Sequence, residues 1–407
     1  MTESMSQFQT WSPPRAVHGP ASAPRRIAIV QHGDLREAMD LVDANEPEPY
    51  FGMTRSVAAI RALTRDSAHL AISLDAPAYR VAHGTGTLVG LPLPRYPARL
   101  PGTVPLLHRA WAIRRELAHF QPTHVLLRAA GMLGLSVLRW CVRHEVSTLV
   151  LLADYMRPRG WRQIRHTRRF MRLLNASCVY AVGNHRLPAQ QSLVKWGLRP
   201  DKAVAYDFAP SRRPRDYSPK SLAGPPWRVV YAGNLLPGKG VGDLIDAMSL
   251  LVEQGLAVTA TLAGTGPGLE VFQGQARKLP AGRIEFAGRL GNDQVFNLMR
   301  QAAVVCVPSR PDYPEGLPMT LTEGLASRTP LIVSDHPVMA GAFCDGEGMC
   351  FFPAGDPPVL ARVIQSVLSD SQRYETLSRT TEAAYARVEC PTLMPDLIAR
   401  WRATFGP

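Results

Sequence analysis

Two carboxylates eight positions apart, Glu315 and Glu323, bracket the segment Gly316-Leu317-Pro318-Met319-Thr320-Leu321-Thr322. Gly316 and Pro318 mark a turn, residues 320–326 read as the opening of a helix, and residues 330–334 read as a short uncharged strand. A helix opening presents backbone N–H groups without intrahelical partners together with a partial positive charge, which suits a phosphate or a sugar oxygen. Acids flanking it can accept hydrogen bonds from hydroxyls, as ribose-binding acids do in nucleotide sites. Upstream, Lys239 ends the turn Leu235-Leu236-Pro237-Gly238 just past a strand-like run, where its flexible ammonium can reach an anionic group.

The elements that must position these groups alternate along the chain. Strand-like runs fall at 25–31, 69–74, 124–127, 147–152 and 178–182, with helical patterns at 54–63, 104–120 and 133–144 between them. Residues 207–226 hold Pro210, Pro214, Pro219, Pro225 and Pro226 with arginines between them, and read as a linker. The alternation then restarts with strands at 227–232, 257–263, 284–286 and 304–307 and helices at 241–254 and 293–301. Residues 381–405 read as helical, broken at Cys390-Pro391. Such alternation predicts an α/β protein with two doubly wound parallel sheets, covering 25–206 and 227–384, whose ligands bind in a cleft at the carboxyl ends of the strands.

Bulk properties agree. A chain of 407 residues exceeds what one core serves, and 46% hydrophobic residues suffice for two. No apolar run approaches the ~20 residues that span a bilayer. Residues 1–24 carry four prolines and no apolar segment, and read as a disordered tail and not a secretion signal. An intracellular protein is therefore expected. Six scattered cysteines without a Cys-x-x-Cys pair read as reduced structural thiols.

The net charge of +13 is uneven: seven arginines and His166 lie between Arg157 and Arg172 with no acid among them. Arg162, Arg165, Arg169 and Arg172 recur at helical spacing, so one face is basic. That face suits an anionic membrane surface or a lipid pyrophosphate acceptor, or is simply solvated. No nucleic-acid module accompanies it. Gly264-Thr265-Gly266-Pro267-Gly268 fails as a dinucleotide fingerprint and reads as a tight strand-to-helix turn. With no Asp-x-Asp and no clustered His or Cys, no metal is expected.

The paired glutamates, with Gly-Leu-Pro after the first and Gly-Leu-Ala after the second, resemble the signature of the GT4 family of retaining glycosyltransferases, which have the GT-B fold. Four further segments resemble family motifs in family order: Tyr231-Ala232-Gly233-Asn234-Leu235 with Lys239-Gly240, Leu262-Ala263-Gly264-Thr265-Gly266-Pro267, Phe286-Ala287-Gly288-Arg289, and Val307-Pro308-Ser309. The resemblance covers roughly residues 227–365; the N-terminal half matches only in its pattern of elements.

The resemblance implies two Rossmann-like domains facing across a cleft, with a terminal helix, about 385–407, crossing back to the first. It implies transfer of a sugar from a nucleotide-sugar donor to a carbohydrate or lipid-linked acceptor hydroxyl, in polysaccharide or glycolipid assembly at the cytoplasmic membrane face. By resemblance, Glu315 and Lys239 serve the reacting centre, and the donor meets Gly233, Asn234, Lys239, Gly288, Arg289, Glu315, Gly316, Leu317 and Pro318, with Glu323 on the ribose. Retention by front-face substitution lets the leaving phosphate assist deprotonation of the acceptor, so no separate catalytic acid is needed. Asn234 departs from the family, where many members carry arginine as a second phosphate contact. Gly52 stands where the family places a glycine-rich loop, and Asp154 is the acceptor-side candidate after the strand at 147–152, with a helix cap as its other reading. No cofactor or metal is implied. Alternatives are a GT-B phosphorylase or epimerase, a nucleotide-sugar-binding protein without turnover, and a nicotinamide oxidoreductase.

Overall fold

The computed structural model describes residues 25–46, 48, 52–92, 103–158, 160–313 and 315–405. The tail expected over residues 1–24 lies outside them, as do Tyr50, Phe51 and Arg159. The chain divides into two units, the first reaching Phe208 and resuming at Cys390, the second running from Ala209 to Glu389.

The first unit opens with β1 (Arg26–His32), α1 (Leu35–Asp43), α2 (Met53–Thr64) and β2 (Ala68–Leu74). A hairpin of β3 (Tyr79–His83) and β4 (Gly86–Leu91) precedes α3 (Thr103–Phe120), β5 (His124–Arg128) and α4 (Gly131–Arg143). The remaining elements are β6 (Ser147–Leu152), α5 (Gly160–Leu174), β7 (Val179–His185), α6 (Arg186–Lys195) and β8 (Ala203–Tyr206). The sheet order is β3-β4-β2-β1-β5-β6-β7-β8, parallel except for the β3–β4 pair. Along β1, Ala28 and Val30 face one core with α3, α4 and α5, while Ile27 and Ile29 face another with α1, α2 and the C-terminal helix Met394–Arg402. Burial on both faces is what a strand without polar alternation requires. The hairpin at 79–91 was not legible in the sequence pattern.

The second unit runs β9 (Trp227–Ala232), α7 (Val241–Glu253), β10 (Val258–Ala263), α8 (Leu269–Ala276), β11 (Ile284–Gly288) and α9 (Asn292–Gln301). It continues with β12 (Val304–Val307), α10 (Met319–Ala326), β13 (Leu331–Ser334), α11 (Pro337–Ala340), β14 (Met349–Phe352), α12 (Pro357–Leu368) and α13 (Ser371–Ala386). Its parallel sheet has the order β11-β10-β9-β12-β13-β14, a second doubly wound arrangement.

Residues 209–226, expected as a linker, are instead packed into the second unit. Buried Arg328 donates from Nε to the carbonyls of Pro214 (2.8 Å) and Tyr217 (3.1 Å), and Lys220 N donates to Ser378 Oγ at 2.7 Å. Pro214 opens a 3₁₀ turn, Pro214–Asp216, within this stretch. The helical pattern at 381–405 is split where the units divide: α13 ends in the second unit, and the segment from Cys390, not from about 385, returns to the first.

At that return point Asp207 pairs through its backbone with the 392–394 segment, Asp207 N donating to Thr392 O and Met394 N to Asp207 O. Its carboxylate lies 3.0 Å from His185 Nε2 and accepts from Arg186 Nε at 2.8 Å, with side-chain exposures of 13% for Asp207 and 2% for Arg186. Burial by itself would raise the Asp207 carboxyl; the charge of Arg186 and the bonds from His185 and Phe208 N–H outweigh it and hold it down to about 2. A carboxyl held below its ordinary 3.8 contributes stability that is full above that value and is lost as pH falls through about 2. Asp207→Asn should therefore lower the unfolding free energy at neutral pH by about 3–5 kcal/mol, the cost of stranding a buried charge. It should also flatten the wild-type loss of stability between those two pH values, read by denaturant titration at a series of pH.

Candidate functional site

In the second unit the loops after β9, β10, β11 and β12 meet at the carboxyl edge of the sheet. The first two pack backbone on backbone: Gly233 N donates to Ala263 O at 2.9 Å, Leu235 N to Thr265 O at 2.9 Å, and Gly268 N to Leu235 O at 3.0 Å. A Cβ on Gly264 would stand 1.9 Å from Gly233 O, so only glycine permits this approach. Gly264 N in turn donates to Gly288 O at 2.7 Å, which joins the third loop. The glycine-proline turn leads from β10 into α8, the strand-to-helix turn that the sequence predicted, and it also packs these loops together.

Lys239 closes a 3₁₀ turn, Pro237–Lys239, and Gly240 follows at φ +70°, where a Cβ would lie 2.0 Å from Pro308 O. The β9 and β12 loops are therefore in contact, and Arg310 N donates to Gly238 O at 2.8 Å. Across this junction Lys239 Nζ reaches both carboxylate oxygens of Glu315, at 2.8 and 2.6 Å. Ser309 Oγ donates to the same carboxylate at 2.9 Å, and the ammonium lies 4.7 Å from the centre of the Tyr313 ring. Burial, and then the charge of Glu315, push the phenols of Tyr231 and Tyr313 upward.

Two residues 76 positions apart are thereby brought together. Gly316, buried Leu317 and Pro318 lead from Glu315 into α10, whose N-cap, Pro318, offers no side-chain hydrogen bond to the first-turn N–H groups. Thr320 Oγ1 donates to Ala232 O at 2.9 Å and ties this helix start to the end of β9. Glu323, half-buried, is on the same helix. Asn234 is exposed, its carbonyl accepting from Tyr231 Oη at 2.8 Å, and Arg289 is exposed one residue beyond β11. Among the described residues no three or more His, Cys, Asp or Glu side chains converge as a metal-binding group.

Sequence reasoning missed the supports of this junction. Arg310, beside the Lys239 turn, holds Asp243 of α7 with two bonds, at 2.9 and 2.6 Å. His336, which the sequence left without a role, accepts from Val338 N through Nδ1 at 3.3 Å, which leaves Nε2 to donate to Tyr313 O at 3.1 Å. It braces the loop that carries Glu315. No motif signals it, because both partners are backbone groups.

In the first unit, Gly52 sits at φ +82° before α2, and a Cβ there would come within 2.8 Å of the Phe208 ring. Its N–H donates to Glu48 Oε2 at 3.0 Å, and Thr54 N donates to Glu48 Oε1 at 2.9 Å, so a carboxylate of the protein itself holds this helix start. Asp154 is exposed two residues beyond β6, and its carbonyl accepts from Asn184 Nδ2 at 3.0 Å. It lies six residues before α5 and does not cap it. On α5, Arg162, Arg165, Arg169 and Arg172 are all exposed while Thr167, Phe170, Met171 and Leu174 are buried, the two-sided helix that the spacing predicted. A constellation invisible in sequence stands at the ends of β1 and β2: His32 Nδ1 lies 2.8 Å from Asp75 Oδ2, and buried Arg109 donates to Asp75 Oδ1 at 2.7 Å. A histidine oriented through Nδ1 by a carboxylate presents Nε2 as an acceptor for a hydroxyl.

Comparison with known proteins follows these boundaries. Residues 214–387 match the family described as Glycosyl transferases group 1. Curated relatives include glycogen synthase of Mycobacterium tuberculosis, 32% identical over 169 residues, 41% of this chain and 38% of that one. Phosphatidyl-myo-inositol mannosyltransferase of Mycolicibacterium smegmatis is 28% identical over 150 residues, 37% of this chain and 38% of that one. The alignments thus span well under half the length of these relatives. Among solved structures, Anabaena HepE in complex with UDP is similar over 93% of this chain and 98% of that one, with a TM-score of 0.59 and 16% identity. Sucrose-phosphate synthase of Thermosynechococcus elongatus covers 93% and 97%, with a TM-score of 0.60 and 16% identity. At such identity the likeness establishes fold. The chain has the GT-B fold, and residues 214–387 match the family described as Glycosyl transferases group 1.

Proposed function

We propose that this protein transfers a sugar from a nucleotide-sugar donor to an acceptor hydroxyl with retention of anomeric configuration, in polysaccharide or glycolipid assembly. The observation that carries this reading is the convergence of Lys239 and Glu315 beside the start of α10, inside the family segment. The ammonium and the helix-start N–H groups suit the diphosphate, Glu315 suits the hydroxyls of the sugar, and Glu323 suits those of the ribose. Structures similar in fold were solved with UDP and with UDP-glucose, which supports a uridine nucleotide as the first donor to try. In the transfer, the bond from the anomeric carbon to the phosphate oxygen breaks as the bond to the acceptor oxygen forms on the same face. The acceptor proton passes to the departing phosphate, and no metal or cofactor takes part.

The acceptor is a carbohydrate or a lipid-linked carbohydrate, reached with α5 against the anionic inner face of the membrane. No helix among the described residues is long and apolar enough to cross a bilayer, so attachment through α5 would be peripheral.

A panel of nucleotide sugars screened by thermal shift tests the donor reading, since a bound ligand raises the unfolding midpoint. Lys239→Ala and Glu323→Gln should each weaken the nucleotide that scores highest by about 1.5–3 kcal/mol, the worth of a charge-assisted bond; unchanged affinity in both would refute the site. Replacing Arg162, Arg165 and Arg169 with serine should reduce co-sedimentation with phosphatidylglycerol vesicles and leave nucleotide affinity intact. Equal sedimentation would remove the membrane from the proposal.

A further inference from the structure

We infer that Glu315 and the donor diphosphate compete for Lys239, so that the site favours a nucleotide still carrying its sugar over the spent nucleoside diphosphate. The inference rests on the donor-site reading above and adds a discriminating role to Glu315. The pair is nearly buried, with side-chain exposures of 15% for Lys239 and 9% for Glu315, and both carboxylate oxygens lie within 2.8 Å of Nζ. A lysine has three N–H donors. Two are aligned with Glu315, and the ammonium also lies over the Tyr313 ring. A phosphate oxygen drawing on this ammonium must therefore loosen Glu315 or sit close to its like charge, and either is costly.

A sugar changes the balance. Its hydroxyls donate to Glu315 and replace the ammonium as partners of the carboxylate, leaving Lys239 to the phosphates. Once the sugar has gone, the nucleoside diphosphate brings no such donors, and Glu315 recaptures Lys239 with the help of Ser309 Oγ. Re-formation of the ion pair thus opposes retention of the product.

Calorimetric titration of UDP and of inorganic pyrophosphate tests this with wild type, Glu315→Gln, Lys239→Ala and the double variant. Glu315→Gln should tighten both ligands by roughly tenfold, the worth of one released charge-assisted contact, and the gain should vanish in the Lys239→Ala background. UDP-glucose should not share the gain, because it loses its own partner. Ser309→Ala, which loosens the carboxylate without leaving the ammonium alone, should move UDP affinity in the same direction by a smaller factor and serves if Glu315→Gln folds poorly. The inference is overturned if Glu315→Gln binds UDP no tighter than wild type, or if the gain persists without Lys239, which would mark general charge repulsion. UDP affinity unchanged by Lys239→Ala alone would sink the donor-site reading, and this inference with it.

Discussion

A parallel strand buried on both faces leaves little room for charged side chains along its length, so the charged groups of the chain are pushed toward the strand ends. Both sheets obey this constraint. Ile27 to Val30 on β1 and Val304 to Cys306 on β12 are fully buried, and His32, Ser309 and Arg310 follow two to four residues beyond. Because successive parallel strands all deliver the chain to the same edge, groups far apart in sequence become neighbours there. Lys239 and Glu315 meet in this way, as do His32 and Asp75.

Two charges that penetrate the interior, Arg328 and Asp207, are each held by several partners. Arg328, at φ +60° beyond α10, binds the carbonyls of Pro214, Tyr217 and Arg379 and the carboxylate of Glu382. It draws the proline-rich entry segment and the exit helix α13 onto one corner of the second unit. In the first unit the Asp207 carboxylate ties the end of β8 to His185 and Arg186 at the end of β7, while its backbone pairs with the returning 392–394 segment. A buried guanidinium or carboxylate can be satisfied only by several groups at once, and that demand turns each into a clasp between segments remote in sequence.

The two units differ in how much they owe to motif. The second carries the family segment, and its Gly240, Gly264 and Gly266 stand where backbone meets backbone, so those residue types were constrained by space. The first presents a basic helix face and a histidine–carboxylate pair on the same kind of sheet. The segment matched by relatives thus lies in the second unit, and the basic helix and the histidine–carboxylate pair lie in the first.

Much of this was readable from the chain. Apolar runs between helical patterns specified two parallel sheets, because burial on both faces needs uninterrupted hydrophobic strands. Gly-Leu-Pro before a helix and the glycine–proline turn marked loops at the strand ends, because turn geometry is local. Other features were not legible: the β3–β4 hairpin, the packing of 209–226 into the second unit, the Glu48 carboxylate at the start of α2, and the braces from His336 and Arg310. Each depends on partners brought together by folding, several of them backbone groups that carry no residue signature. Sequence by itself determined most element types, the sheet class, the loops that bear Lys239 and Glu315 and the helix that bears Glu323, since periodicity and turn chemistry act over a few residues. Tertiary structure alone decided that Lys239 and Glu315 hold one another and that Asp207 and Arg328 lock the units' ends, since ion pairing and burial act through space.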